Sequence, residues 1–231
     1  MAGFFNTIIY QPILALLVWI YQTVAFHDLG IAIVVLTVLV RVVLFPVFNK
    51  GSRDQTIMQH LQPHVKKIQL DHKDEKEIQA KKLMELYSRH KVNPLSGFLL
   101  LIVQLPVFIA LFEIFRKELG GAMFASQMFL GFMNLGEKSI VIAIIAALAQ
   151  YIQGKISLPK TQPSMDSKNP LASMGKTMVY IGPALTFGIL MGLPAAIGLY
   201  WIVSSLFSIA QQMYINKKMP AFEDLEKPSK S

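Results

Sequence analysis

The 231-residue chain is 53% hydrophobic and only 16% charged, with a mean hydropathy of +0.47; a soluble domain has about 45–50% apolar and about 25% charged residues. That balance excludes an ordinary soluble enzyme, and the lack of cysteine excludes a disulfide framework, a thiolate metal site, a cysteine nucleophile and a lipoprotein anchor. The net charge of +8 leaves three settings open: nucleic acid, an anionic membrane surface, or the one-sided loops of a membrane protein.

A bilayer core is about 30 Å thick, so a spanning helix needs about 20 mostly apolar residues. Residues 1–28 are apolar, with Gln11, Ala15 and Gln22 near one helical face and Tyr10, Trp19 and Tyr21 as interface-loving aromatics. They read as an N-terminal amphipathic helix lying in the interface, with a sixth span as the alternative. Residues 29–49 read as the first span, broken only by Arg41. Residues 50–92 are too polar to span and alternate charge with helical apolar spacing: Met58, Leu61, Val65 and Ile68, then Ala80, Leu83, Met84 and Tyr87. With Glu77–Lys81 and Glu85–Arg89 as i,i+4 pairs, they predict a charged antiparallel helical hairpin, kinked or started at Pro63. Residues 95–115 form a second span, 116–138 a loop, and 139–156 a third span. A polar loop over 157–175 leads to a 40-residue charge-free run, Thr177–Asn216, which is long enough for two spans. Gly192-Leu193-Pro194 divides it into spans at 176–192 and 195–215, followed by a short polar tail at 216–231.

Five spans place 50–92, 157–175 and the tail on one side. Counted with their flanks, as 49–97, 155–176 and 217–231, those segments carry 18 Lys/Arg against 3 in the loop after the second span. The positive-inside rule then puts the N-terminus outside and the C-terminus in the cytoplasm. The same sorting makes the +8 a topology signal and argues against direct DNA binding.

Arg41 is the informative residue. An arginine in mid-span costs about 2.5–3.5 kcal/mol on insertion scales, so it is expected to face a polar interior or a wet cavity. Glu113 is the only acid within a span, and Arg116 and Lys117 beside it are its nearer partners. Thr37 lies one turn before Arg41; Gln104 sits in the second span, Gln150 and Gln153 in the third, and Trp201, Ser204, Ser205 and Ser208 in the last. Each alone is ordinary helix–helix glue. Together with a lone arginine they point to a polar groove inside the membrane. No nucleophile motif, metalloprotease motif or paired intramembrane aspartates are present, so no enzyme, cofactor or metal is expected. His60 and His64 have metal-ligand spacing but no clear third ligand.

Four elements in order resemble the YidC/Oxa/Alb family of membrane protein insertases, in a short bacterial form. They are Leu39-Val40-Arg41 through Phe45-Pro46; Leu61-Gln62-Pro63 through Leu86-Tyr87; Asn93-Pro94-Leu95-Ser96-Gly97 with Gln104-Leu105-Pro106; and Gly192-Leu193-Pro194 with Gly198-Leu199-Tyr200-Trp201. The resemblance implies an all-α integral membrane protein of the bacterial inner membrane, with five transmembrane helices around a hydrophilic groove. It implies a substrate-binding groove at Arg41, Thr37, Gln104 and Trp201, with Gln150, Gln153, Ser204 and Ser205 as further lining. The implied partners are nascent membrane proteins and lipids, and, through the hairpin, the Sec translocon, ribosome or signal recognition machinery. Lys91 and Ser96 stand where many members have glycine, the large outer domain of Gram-negative members is not seen, and the tail is too short to favour strong ribosome binding. The rival reading is a small anion-handling transporter or channel.

Overall fold

A computed structural model of the chain describes residues 2–121, 123–158 and 170–218. Those residues are almost wholly helical. The first helical stretch comprises α1 (Ala2–Phe5), a π-helical turn at Asn6–Tyr10 and α2 (Gln11–Thr23). Then come α3 (Leu29–Val43), α4 (Phe45–His60), α5 (Gln62–Asp71) and α6 (Lys76–Arg89). The bundle is completed by α7 (Ser96–Glu118), α8 (Ile140–Ser157), α9 (Pro170–Leu190) and α10 (Ala195–Lys218). Two short strands, β1 (Met128–Phe129) and β2 (Met133–Asn134), pair antiparallel between α7 and α8.

Among the described residues, Gly3–Thr23, Ser96–Glu118, Ile140–Ser157 and Ala195–Lys218 are long and apolar enough to cross a membrane. The pair α3 and α4 would make a fifth span, bent by 69°. The segment expected as one straight span over 29–49 is therefore broken, and Arg41 lies in the last turn of α3, not in mid-helix. The cause is Pro46. It cannot donate to the Val42 carbonyl, and its ring clashes with that group, so the helix ends and restarts in a new direction. Helix α4 then continues to His60, so half of the expected first hairpin arm prolongs the bent span. Pro63 lies in the first turn of α5, as the sequence indicated.

Helix α9 starts at Pro170, inside the stretch expected as the 157–175 loop; residues 159–169 of that loop and 219–231 of the tail lie outside the described residues. The Gly192–Pro194 turn between α9 and α10 is in place. In the hairpin, Glu85 pairs with Arg89 at 3.2 Å and with Lys82 at 3.4 Å, while among the described residues Glu77 and Lys81 form no ion pair.

The bundle has a hairpin end, carrying α5 and α6, and a loop end, carrying the α7–α8 connection. The main core fills the loop half: Leu17, Ile20, Leu29, Ile33, Ile114, Leu135 and Ile197 are all buried there. The first helical stretch touches the loop end twice. Lys117 Nζ sits 5.2 Å above the Tyr10 ring, and the Ser126 amide donates to the Tyr21 hydroxyl at 2.8 Å. Tyr10 and Tyr21 are about 16 Å apart along a helix at about 1.5 Å per residue, so the stretch is fastened to the loop end at two separate points.

Backbone bonds close this end further. Ala195 N donates to the Glu137 carbonyl at 2.7 Å and Ala196 N to the Leu135 carbonyl at 3.0 Å. The connection is thus stitched to the start of α10.

Candidate functional site

Helix α10 sets one wall of the site. Trp201, Ser204, Ser205, Ser208, Gln211 and Gln212 recur every three or four residues, which places them on one face. That face lines a groove of about 430 Å³ in the hairpin half of the bundle. Arg41 enters from α3, and Phe48, Ser52 and Gln55 from α4. Gln104 and Phe108 of α7 and Gln150, Gln153 and Ser157 of α8 complete it.

Arg41 is only 8% exposed. Its guanidinium lies over the Phe48 ring, 4.7 Å from the centroid, a contact worth about 2 kcal/mol when desolvated. Among the described residues, no carboxylate forms an ion pair with Arg41. Glu113 instead pairs with Lys117 at 3.0 Å, one turn along its own helix. The groove is therefore a net-positive, hydrogen-bonding surface, suited to a carboxylate.

The walls are held by hydrogen bonds between helices. Gln150 Oε1 accepts from the Trp201 indole at 3.1 Å and from the Thr186 hydroxyl of α9. Gln104 donates to the Tyr200 hydroxyl, joining α7 to α10. Gln212 donates to the Thr56 hydroxyl at 3.0 Å and to Asn216 Oδ1 at 2.8 Å. The buried Gln211 Nε2 has no hydrogen-bond partner among the described residues.

Of the residues expected from the sequence, Arg41, Gln104, Trp201, Gln150, Gln153, Ser204 and Ser205 meet in this groove. Thr37 does not line it. It is 2% exposed, and its hydroxyl donates 2.6 Å back to the Ile33 carbonyl inside the main core. A hydroxyl four residues from a carbonyl on its own helix satisfies itself there. Tyr200, Thr186 and the Gln211–Gln212 pair were not singled out from the sequence. The signal for the glutamines was present: they continue the α10 stripe beyond Ser208.

A profile of the 60Kd inner membrane protein family matches residues 19–223. The chain belongs to that family. Its relatives include proteins named membrane protein insertase YidC from Geotalea daltonii, 32% identical over 221 residues, and Geobacter metallireducens, 33% identical over 217 residues. The match takes in 95% and 92% of this chain but 39% and 38% of those proteins. A third, from Francisella tularensis subsp. novicida, is 30% identical over 96% of this chain and 37% of its own length. The chain thus spans about two fifths of the length of the YidC proteins it matches. Within the 60Kd family the resemblance read from four motifs holds over most of the chain, and an all-α, multi-pass protein of the bacterial inner membrane is the setting that the family description and the apolar helices support.

Proposed function

We propose that the chain is a membrane protein insertase, working on newly made proteins whose translocated segments are short and acidic. The observation that carries this reading is the buried Arg41 in a groove of hydroxyls and amides. The family match and the names of the relatives support it and give no support to an anion transporter.

The groove shortens the dry path that a polar tail must cross. Arg41 attracts the acidic tail and forks onto its carboxylates, and its charge persists at any physiological pH. The substrate's apolar segment then moves into lipid, driven by about −0.3 to −0.6 kcal/mol for each central Leu, Ile, Phe or Val. An inside-negative potential adds about 2.3 kcal/mol per exported negative charge per 100 mV. The lysine-rich segments 50–92 and 155–176 support a cytoplasmic hairpin end, where α5 and α6 meet the substrate or its delivery factors. The loop end faces outward, with α2 lying along the membrane surface.

The test is insertion of a single-span protein with an acidic tail into liposomes carrying the purified chain. Arg41→Lys retains most insertion, whereas Arg41→Ala and Arg41→Glu lose at least about tenfold, which corresponds to about 1.4 kcal/mol. Equal insertion by the alanine variant, at equal reconstitution, removes the groove charge from the mechanism.

A further inference from the structure

The connection between α7 and α8 contains 18 consecutive residues without a charge, Leu119–Gly136, although it joins two membrane spans. At its centre β1 and β2 form a hairpin whose tip holds Leu130, Gly131 and Phe132. Leu130 is 58% exposed and Phe132 69% exposed. A water-facing turn is ordinarily built from Gly, Asn, Asp, Ser and Pro; here a leucine takes the left-handed conformation, at φ 50°, and Gly131 follows at φ 74°. The backbone is held in a conformation that branched and bulky residues avoid, with its apolar side chains outward.

The tip does not project away from the bundle. The Leu130 amide donates 2.6 Å to Asp28 Oδ2, while Asp28 Oδ1 caps α3 by accepting from Ile31 N at 2.8 Å. One carboxylate therefore ties the tip to the first turn of a spanning helix. Phe129 lies against Gly30 so closely that a Cβ there would overlap its ring. The hairpin is thus folded back beside α3, below its cap. Phe26, 87% exposed and also left-handed at φ 51°, lies two residues before that cap.

We propose that Leu130 and Phe132 are a fixed lipid anchor, inserted among the acyl chains of the leaflet at the loop end. Lipid is the occupant for two reasons. The tip is tied to the cap of α3 and so is level with the start of that helix, and Ile140 and Val141 at the start of α8 are exposed apolar side chains at the same end of the bundle. This inference depends on the spans and not on the groove chemistry, so it stands or falls separately from the insertase reading.

The chain has no cysteine, so single cysteines can be introduced and spin-labelled without background. Leu130→Cys, Phe132→Cys and Lys138→Cys are compared in vesicles of phosphatidylethanolamine and phosphatidylglycerol, reading collisions with oxygen and with a water-soluble nickel chelate. Oxygen collisions exceed nickel collisions several-fold at 130 and 132, and the order reverses at 138. Nickel dominating at 130 and 132 overturns the anchor by placing the tip in water. Low collision with both reagents also overturns it, because protein then covers the tip. To exclude displacement by the label, Phe132→Trp is placed in a chain carrying Trp19→Phe and Trp201→Phe. Its fluorescence is quenched by lipids brominated on the acyl chains; no quenching refutes the anchor.

Discussion

The two ends of the bundle are built on opposite plans. At the loop end, polar groups are used up in closing contacts: Tyr21 with Ser126, Asp28 with Leu130 and Ile31, and the amides of Ala195 and Ala196 with the preceding connection. Toward the hairpin end, α3, α7, α8 and α10 together with the more polar α4 leave a cavity lined by glutamines, serines, one arginine and several aromatic side chains. The difference is whether the polar groups meet one another over the core or face a shared space.

The sharpest way to break that contrast is to invert the groove charge. Arg41→Glu is expected to abolish insertion of acidic-tailed substrates by at least about tenfold, measured in liposomes, while leaving the helical circular dichroism of the bundle unchanged. Next in size is overfilling the closed end. Gly30→Val forces its side chain into the Phe129 ring and is expected to cost about 1–3 kcal/mol, read as a fall in thermal unfolding temperature in detergent. Gln150→Leu leaves the Trp201 indole and the Thr186 hydroxyl without their acceptor, at about 1–3 kcal/mol for a buried unsatisfied group. In contrast to Gly30→Val, it should also alter Trp201 fluorescence.

Asp54→Ala probes the hairpin end, where the buried carboxylate accepts from Ser96 Oγ at 2.6 Å and from the Asn93 amide at 3.4 Å. A loss of about 1–3 kcal/mol is expected, with Asp54→Asn recovering part of it. The smallest effect is on pH. Burial, with His64 and Arg89 nearby, lowers the His90 pKa below its ordinary 6.5. The unfolded hairpin therefore binds the proton more readily, and stability is full above about pH 6.5 and falls as pH drops below it. Faster amide exchange in α6 at pH 5.5 than at 7.5, after correction for intrinsic rates, would register this; His90→Gln should remove the difference.

Much of this was legible in the residues. Apolar runs of spanning length located the helices, and an arginine among them located the groove, because each is costly to explain any other way. Pro46 was visible, but its effect depends on a carbonyl four residues earlier, so the apolar pattern ran past the break. Thr37 shares helical spacing with Arg41 but lies a turn higher, inside the packed core. The closed end was not legible: most of its bonds join residues far apart in the chain, as Asp28 and Leu130 are, 102 positions apart. Asp54 resembled one more charge on a solvated hairpin, and only the fold brings Ser96 to it.

The 69° break in the first span has an electrostatic consequence. The peptide dipoles of α3 add along its axis, leaving about half a negative charge at its carboxyl end. Arg41 lies in that last turn, and the Val42 carbonyl has lost its ordinary donor to Pro46. A cation so placed gains about 0.3–1 kcal/mol, and the backbone takes over part of the work of a counter-ion. Among the described residues no carboxylate pairs with the guanidinium, and under the proposed mechanism its hydrogen-bonding edges are what an arriving carboxylate would meet.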